Sequence, residues 1–432
     1  MNRLLGLEQG LSRQSAKTTK RRRRKPAKTR ALSRASKLSE ALYGTGEHVR
    51  TGKVDLSSLG SIGPTTKLDV NGVLFTYGQI IAMADMYETH GKMVNAPRTE
   101  LTKLRQLIDK STRFFEGKGG SDASRGEWQS ATNRRYLKLA EDNFSHFAPS
   151  SSHLIPGYSS TKVNSRTEWE RYHQQAINTV KSGTNSEDMD DALVMNAFGD
   201  HFLTDAFAAG HLFNKDDLNS YFKSRVFSGK KLNSNGSNML SEIARKAFKG
   251  PLKAAFSKYE TYEPHEAWWN IFSWNPNIHN KDRFEALLKG IMLARPDIIG
   301  KSIVAKAVHY KLNDYKGGIP VADARRNHWN LTGDDTLDDE NLSYIQEAVL
   351  QSITNLLDVA DGKSIPSATL FGRVWDMVPR PTTSSRKLIK NLIKKLTNPL
   401  DSELTDIAAE LLTKNFDDLL IELKNEKILK KA

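Results

Sequence analysis

The stretch from Asn196 to Leu212 places three residues that can bind a metal ion inside an otherwise apolar segment. His201 and Asp205 are four residues apart, so on an α-helix they lie on the same face and can bind one ion. A third such residue, His211, follows six residues later. Because buried polar groups without partners are costly, the stretch is typical of a metal-binding helix.

His211 cannot share that ion if the helix continues, because ten residues of helix beyond His201 advance about 15 Å along the axis. Gly210 is a candidate helix terminator, which would let His211 turn back toward the first site or serve a second ion beside it. The spacing therefore favours a site with more than one metal. The alternative is structural, since a histidine and an aspartate at this spacing often form a surface ion pair or a half-buried hydrogen bond.

The series His-x3-Asp-x5-His at 201, 205 and 211, preceded by Gly-Asp and followed by Leu, resembles the central helix of the bacterial zinc-dependent phospholipases C and of the related fungal single-strand nucleases. A second patch, Asn143 to Phe147, resembles the Ser-His-Phe stretch that supplies a further histidine ligand in the phospholipases. The resemblance implies an all-α fold, two or three zinc ions, Asp205 as a bridging carboxylate and His146 as a ligand.

Two features depart from the family pattern. The phospholipases follow the central helix with His-x3-Glu and the nucleases with His-x3-Asp, whereas the nearest candidate here, His309, is followed by Asn313 and Asp314. Either side chain could approach the ion, but an asparagine would bind zinc more weakly or through water. The family's first ligand is the α-amino group of a processed N-terminus, and nothing in this sequence indicates such processing.

The resemblance also implies a carboxylate ligand, which could act as a base, upstream of the Ser-His-Phe patch. Asp85 follows the apolar residues 80–84 at the end of a predicted helix, where a carboxylate needs a partner. Asp142, four residues before the histidine of the patch, is the alternative, and the sequence does not choose between them. His173 ranks second as a ligand, and His153 is expected on the rim of a pocket.

Composition limits the class of protein. With 432 residues, 38% of them hydrophobic, and a mean hydropathy of -0.55, the chain can form a large soluble core, and no apolar run is long enough to span a bilayer. Cysteine is absent, which excludes disulfides, thiolate zinc fingers and a cysteine nucleophile. We expect a soluble protein without a secretory signal peptide, either cytoplasmic or exported or injected by a route that needs no such signal.

The net charge of +14 is concentrated near the N-terminus. Residues 1–50 contain fourteen Lys or Arg against three Glu, which gives +11 and leaves +3 for the other residues. The basic run 20–28 has Ser, Thr and Ala-rich surroundings, so residues 1–60 are predicted to form a disordered basic arm. The arm could bind nucleic acid or anionic lipid, serve as a nuclear address, or act as a loading signal for delivery machinery; it could also be a solvated tail without a partner.

Two further units are predicted. Residues 65–365 form one large helical catalytic domain, and residues 380–432 form a helical C-terminal appendage that ends in an antiparallel hairpin over 401–431. Within the appendage an apolar stripe from Leu388 to Leu396 opposes four lysines, which is typical of a basic amphipathic helix that contacts an anionic membrane or docks on the body. The predicted fold class is all-α, a multi-helical bundle like that of phospholipase C.

Two segments are candidates for substrate contacts. Trp268 belongs to a cluster of three tryptophans, which is typical of a membrane-interface wedge or a base-stacking platform, and more often of a corner of the core. Arg325 and Arg326 lie in a loop-like segment and could bind an anionic phosphate.

These residues predict hydrolysis of a phosphodiester by two or three zinc ions. The predicted ligands are Asp85, His146, His201, Asp205, His211 and His309, with Asp85 and Asp205 as the catalytic carboxylates. A phospholipid membrane surface is the preferred substrate, because of the phospholipase-like patches, the tryptophan cluster and the basic helix, and the protein could be a delivered effector. The alternatives are a single-strand nuclease whose arm follows phosphates, and an inactive binding or structural protein with this fold.

Overall fold

The structure is a computed structural model that describes residues 44–57, 62–183, 186–248, 262–264, 280–297, 299–334, 336–425 and 429–431. The basic run of the predicted arm and Trp268 lie outside these ranges. Within them the chain is mostly helical, with a few short strands, which confirms the predicted all-α class at that level.

Sixteen α-helices lie in these ranges and surround a continuous apolar core. Their bounds are Thr45–Thr51, Tyr77–Met83, His90–Val94, Arg98–Phe115, Arg125–Ala131, Arg135–Asp142, Ser165–Ser182, Ser186–Asp205, Lys215–Val226, Ser234–Ala247, Asn280–Ala294, Ala305–Asn313, Asp339–Ala360, Ser367–Trp375, Thr383–Leu396 and Ser402–Asn425. Three short 3-10 turns, Ala84–Met86, Phe144–His146 and Ala209–His211, each carry one predicted metal ligand.

The helix Ser186–Asp205, called the central helix below, carries two of the predicted ligands. Two acidic residues lie in its first turn, where negative charge is favourable at a helix N-terminus. From residue 192 to its end almost every residue is buried, so this half of the helix runs through the core. His201 and Asp205 are therefore enclosed by protein.

Other helices pack on several sides of the central helix. Helix Ser165–Ser182 runs along it, and helices Tyr77–Met83 and Asp339–Ala360 contact it from other directions. Gly199 permits the close approach of the first of these, because a Cβ at this position would lie 2.8 Å from the Cβ of Tyr172. The absence of a side chain at Gly199 thus lets the neighbouring helix approach the half that carries the ligands.

Asp200 ties these helices together. Its carboxylate accepts hydrogen bonds from the hydroxyls of Tyr77 and Ser352, both at 2.7 Å. It also accepts from the indole nitrogen of Trp169 at 2.9 Å and from the amide of Asn196 at 3.3 Å. Because buried hydrogen bonds are directional, this network helps to set the rotation of the central helix and the direction in which its ligands point.

The helix Thr45–Thr51 lies within residues 1–60, the range for which the charge pattern predicted a disordered arm. Val49 in this helix is buried in the apolar core. Gly78 allows the contact, because a Cβ there would lie 2.2 Å from the carbonyl oxygen of Val49. Residues 44–57 therefore belong to the folded body; their short length and their glycines hide the apolar periodicity that identifies longer helices.

The described strands are short and antiparallel. The pairs are Lys67–Val70 with Val73–Thr76, Phe227–Ser228 with Lys231–Leu232, Tyr262–Pro264 with Leu429–Lys431, and Ile319–Ala322 with both His328–Leu331 and Arg380–Pro381. The loop after Leu331 continues to the end of the central helix, where the Thr332 carbonyl accepts a hydrogen bond from the Ala209 amide at 2.9 Å. The three-stranded sheet thus delivers this loop to the site.

The helix Thr383–Leu396 docks on the body through its apolar stripe, one of the two arrangements that its pattern predicted. Ile389 and Ile393 are buried, whereas the lysines at 387, 390 and 394 are exposed. The predicted hairpin over 401–431 is wrong: Ser402–Asn425 is a single helix, since no glycine or proline interrupts it. In the part of the chain that the structure describes, no helix has the length and apolar character needed to cross a membrane.

Candidate metal centre

The last turn of the central helix brings two predicted ligands together, as their spacing of four residues predicted. The Nε2 atom of His201 lies 3.1 Å from Oδ2 of Asp205. Both side chains are buried, with at most 4% of their surface exposed. The pair is therefore an internal feature and not the surface ion pair that was the structural alternative.

Two of the 3-10 turns extend this pair into a group of four. Oδ1 of Asp85 lies 3.3 Å from Nε2 of His201 and 3.8 Å from Nδ1 of His146. The same Nδ1 lies 3.0 Å from Nε2 of His201 and 2.7 Å from Oδ2 of Asp205. Asp85, His146, His201 and Asp205 form the central cluster.

The separations in the central cluster fit a small tetrahedral ion. Metal to ligand distances of about 2.0 to 2.1 Å place ligand atoms about 3.3 Å apart at the corners of a tetrahedron. The separations here run from 2.7 to 3.8 Å. Both carboxylate oxygens of Asp85 are buried, and the imidazole of His201, 3.3 Å from Oδ1, is the ion-pair partner that lies nearest to them among the described residues. A buried carboxylate is costly unless cations lie beside it. Two overlapping trios here can each hold a metal ion: Asp85, His146 and His201, and His48, His201 and Asp205.

Charges within the central cluster partly compensate one another. Burial lowers the pKa of His201, but the carboxylates of Asp205 and Asp85 outweigh burial and raise that pKa to about 10. Burial raises the pKa of Asp205, but the neighbouring histidines His201, His146 and His211 hold it well below its usual range. His201 therefore carries the proton that a metal ion has to displace.

A second group of ligands lies just beyond the central helix. The helix ends at Asp205, and His211 follows on the turn Ala209–His211, so the predicted helix end before His211 is confirmed. Nε2 of His211 lies 3.9 Å from Oδ2 of Asp334, which lies 2.9 Å from Nε2 of His309. His211, His309 and Asp334 form the distal cluster, a second group that can hold a metal ion.

Gly210 acts in the distal cluster through its lack of a side chain. A Cβ at Gly210 would lie 2.5 Å from Oδ1 of Asn313 and 2.6 Å from Cδ2 of His309. Glycine therefore allows the helix Ala305–Asn313 to bring His309 beside His211. The prediction that Gly210 terminates the central helix is wrong in detail, because the helix ends at Asp205.

Electrostatics keep the distal ligands in their metal-binding forms. Burial lowers the pKa of His211 to about 4, so its imidazole is neutral at physiological pH. Burial raises the pKa of Asp334, but the hydrogen bond that His309 donates, together with the neighbouring histidines, outweighs burial and holds that pKa below its usual range. Neutral imidazole and ionised carboxylate are the forms that bind metals.

Asp205 lies between the two clusters. Its Oδ2 contacts His146 and His201, whereas its Oδ1 lies 3.7 Å from Nδ1 of His211 and 3.4 Å from Nε2 of His48. A carboxylate whose two oxygens face different donor groups can bridge two ions.

Sequence reasoning missed two residues of the site, His48 and Asp334. His48 directs Nε2 to within 3.9 Å of Oδ2 of Asp85, and its Nδ1 lies 2.9 Å from the hydroxyl of Thr204. The available signal was Glu47-His48-Val49, which follows the end of the basic segment. Asp334 lies in the segment whose Arg325, Arg326 and His328 are candidates for phosphate binding, and its position after Gly333 is a weak local signal.

His173, the second-ranked ligand candidate, is a structural residue. Its Nδ1 donates to Oδ1 of Asn196 at 2.6 Å, and its Nε2 accepts from Nδ2 of Asn355 at 3.2 Å. Both ring nitrogens therefore have partners, which leaves none for a metal ion.

Acid should destabilise the protein through His173. Burial lowers the pKa of His173 to about 4 from an ordinary value of 6.5. Because the folded state has the lower pKa, the contribution to stability is full above pH 6.5 and is lost as the pH falls toward 4, a change of about 3 kcal/mol. The free energy of unfolding, measured with urea at pH 7 and at pH 4, reports this loss of stability. His173→Gln should lose this part of the pH dependence, and the exposed control His328→Gln should keep it; equal pH dependence in all three proteins would contradict the assignment.

Other ligand candidates lie outside the clusters. Asp142, the alternative to Asp85, is half exposed and forms an ion pair with Lys301 at 3.0 Å. Asp314 and the rim residue His153 are exposed. Between the two carboxylates that the sequence left open, the structure places Asp85 in the central cluster.

The structure does not bring the predicted phosphate-binding arginines to the clusters. Arg325 donates from both terminal nitrogens to Glu347, at 2.8 and 3.1 Å. Arg326 is exposed in the same turn, with a φ of 73°. The strand His328–Leu331 lies between this turn and Asp334. The arginines are therefore at the far end of the strand from the distal cluster. Trp268, the third predicted substrate contact, lies outside the described residues.

Comparison of the chain with protein-family models, with curated proteins and with solved structures finds no match. Inference about function therefore rests on the two clusters and their surroundings.

Proposed function

We propose that this protein is a zinc-dependent phosphodiester hydrolase of the phospholipase C type that acts on phospholipid. The observation that carries the proposal is the buried central cluster, in which the carboxylates of Asp85 and Asp205 lie beside the ligand atoms of His146 and His201. A protein that needed only a packed core would not bury two carboxylates beside one protonated histidine, because burial of charge is costly even when it is partly paired. A bound cation removes that cost.

The donor set favours zinc. Imidazole nitrogen and carboxylate oxygen, with no thiolate, are the ligands of catalytic zinc sites. The central cluster would hold one ion and the distal cluster a second, while His48 and Oδ1 of Asp205 offer a third position. Bound zinc supplies a Lewis acid that activates water near neutral pH and offsets the charge that develops on the phosphate.

The chain's own groups would orient the reactants. Asp85 is the candidate base, because its Oδ2 is directed away from the other ligand atoms of the central cluster toward His48. Asp205 would fix the position of the central cluster relative to His211, because one of its oxygens faces His201 and the other faces His211. The ring of Phe147 lies 4.8 Å from that of His211 and provides an apolar wall that limits the access of water.

Phospholipid is preferred because of the residues beside the clusters. The patch Ser145-His146-Phe147, which resembles the phospholipase stretch, supplies His146 to the central cluster and Phe147 to the apolar wall. The C-terminal helix gives less support than its sequence did, since its apolar face is covered by the body and the side chains it exposes are polar or charged.

A single-strand nuclease is the second candidate, and the charge distribution favours it. Residues 1–50 carry a net charge of +11, and a polycation binds a phosphate backbone through release of counterions. The same clusters could act on either substrate, because both reactions cleave a phosphodiester. In either case the arm could serve as the loading signal for delivery of an effector.

Two substrates, offered to the zinc-supplemented full-length protein, test the proposal. We expect release of phosphocholine from phosphatidylcholine vesicles, loss of that activity in Asp205→Asn, and full activity in Asp191→Asn, whose carboxylate is exposed on the same helix. Cleavage of single-stranded DNA without lipid hydrolysis would favour the nuclease. A zinc-loaded protein that cleaves neither substrate would contradict an enzymatic function.

A further inference from the structure

The distal cluster takes its carboxylate from a loop and not from the helix that carries its histidine. Asn313 follows His309 by four residues and so lies on the same face of the helix Ala305–Asn313. A carboxylate at 313 would be the simplest partner for His309. Asp334 instead reaches His309 from the loop after the strand His328–Leu331, with 2.9 Å between Oδ2 and Nε2.

Asn313 lies between the carboxylate and the backbone beside His211. Its Nδ2 donates to Oδ2 of Asp334 at 2.8 Å, and its Oδ1 accepts from the backbone amide of Gly210 at 2.6 Å. The same Nδ2 lies 3.5 Å from Nε2 of His309. One side-chain amide therefore contacts Asp334, His309 and the backbone next to His211 without adding charge.

The backbone is shaped for this contact. A Cβ at Gly333 would lie 2.2 Å from the Cα of Asn313, so only glycine lets the loop approach the end of the helix this closely. With an aspartate at 313, two carboxylate oxygens would face each other across the distance that the hydrogen bond now spans. Like charges this close cannot both remain ionised without a cation, so one of the two positions has to be neutral in the metal-free protein.

We propose that Asp334 is the carboxylate ligand of the distal metal and that Asn313 is its positioning residue, the reverse of the arrangement in which the helix supplies the ligand. Asn313 orients Asp334 through Nδ2 and holds the turn of His211 through Oδ1. The inference rests on the proposed function in one respect, since it requires the distal cluster to bind a metal. Beyond that function, the inference identifies Asp334 as the side chain that binds the ion and Asn313 as the side chain that orients it.

Four variants test the exchange of roles, in which the loop residue Asp334 is the ligand and the helix residue Asn313 is the positioning residue. Asp334→Asn is expected to weaken the second zinc equivalent by about a hundredfold or more, and Asn313→Ala by about ten- to a hundredfold, as for other outer partners of metal ligands. Asn313→Asp combined with Asp334→Asn keeps the hydrogen bond with its direction reversed, so affinity should return to within about tenfold of the wild type. Asn313→Asp alone should bind the second equivalent more tightly and should unfold more readily once the metal is removed.

Competition with a chromophoric zinc chelator gives the number of equivalents and their dissociation constants, and circular dichroism checks folding. Asp314→Asn removes an exposed carboxylate beside Asn313, so this matched control should bind both equivalents as the wild type does. If the double variant binds the second equivalent as poorly as Asp334→Asn, or Asn313→Asp gains no affinity, the exchange is wrong and the proposed function stands. If the wild type binds no zinc, both fail.

Discussion

Replacement of Asp205 by asparagine is expected to abolish hydrolysis and to remove most of the bound zinc. Oδ2 of Asp205 lies 2.7 Å from His146 and 3.1 Å from His201, while Oδ1 lies 3.4 Å from His48. An amide offers one acceptor oxygen where the carboxylate offers two, so it cannot serve both sides. We expect kcat/KM to fall on the order of a thousandfold, which corresponds to about 4 kcal/mol of transition-state stabilisation.

Initial rates on phosphatidylcholine vesicles and zinc content, measured on the same preparations, check this result. Asp191→Asn serves as the control, because it makes the same chemical change at an exposed position of the central helix. An Asp205→Asn protein that keeps both its zinc and its rate would show that Asp205 does not bridge the clusters.

Asp85→Asn is expected to lower stability in two ways, one in the metal-free protein and one in the presence of zinc. In the metal-free protein the change breaks the buried pair between Asp85 and protonated His201, and the free energy of unfolding should fall by about 1 to 3 kcal/mol. With zinc present the variant lacks one ligand of the central cluster. If its zinc affinity falls about a hundredfold, it loses about 3 kcal/mol of the stabilisation that binding provides.

Urea unfolding in the presence of a chelator and in the presence of excess zinc separates the two effects. Asp142→Asn is the matched control, since Asp142 is the half-exposed aspartate that competes with Asp85 in the sequence. The control should show the zinc-dependent stabilisation of the wild type. If Asp85→Asn responded to zinc as fully as the control, Asp85 would be a packing residue and not a ligand.

The chemistry of the central helix could be predicted because it depends on local spacing. His201 and Asp205 meet wherever four residues separate them on a helix, and the structure brings their ligand atoms to 3.1 Å. The end of the helix before His211 was also predictable. The structural role of Gly210 could not be predicted, because it depends on close contacts with His309 and Asn313, about a hundred residues away in the sequence.

The remaining ligands depend on tertiary structure and have no local signature. Asp85 and Asp142 both end helical segments, and only the packing of the 3-10 turn Ala84–Met86 directs Asp85 into the central cluster. Asp334 reaches the distal cluster through a glycine-assisted contact between a loop and a helix. His48 belongs to a short helix at the edge of a basic segment, where charge composition outweighs the few apolar residues.

The zinc content of the full-length wild-type protein, purified without chelator and dialysed after zinc supplementation, tests the central claim most directly. We predict at least two equivalents per chain, one for the central cluster and one for the distal cluster, with a marked loss in Asp205→Asn. Fewer than one equivalent per chain in the folded wild-type protein would contradict the claim that these buried histidines and carboxylates form a metal centre.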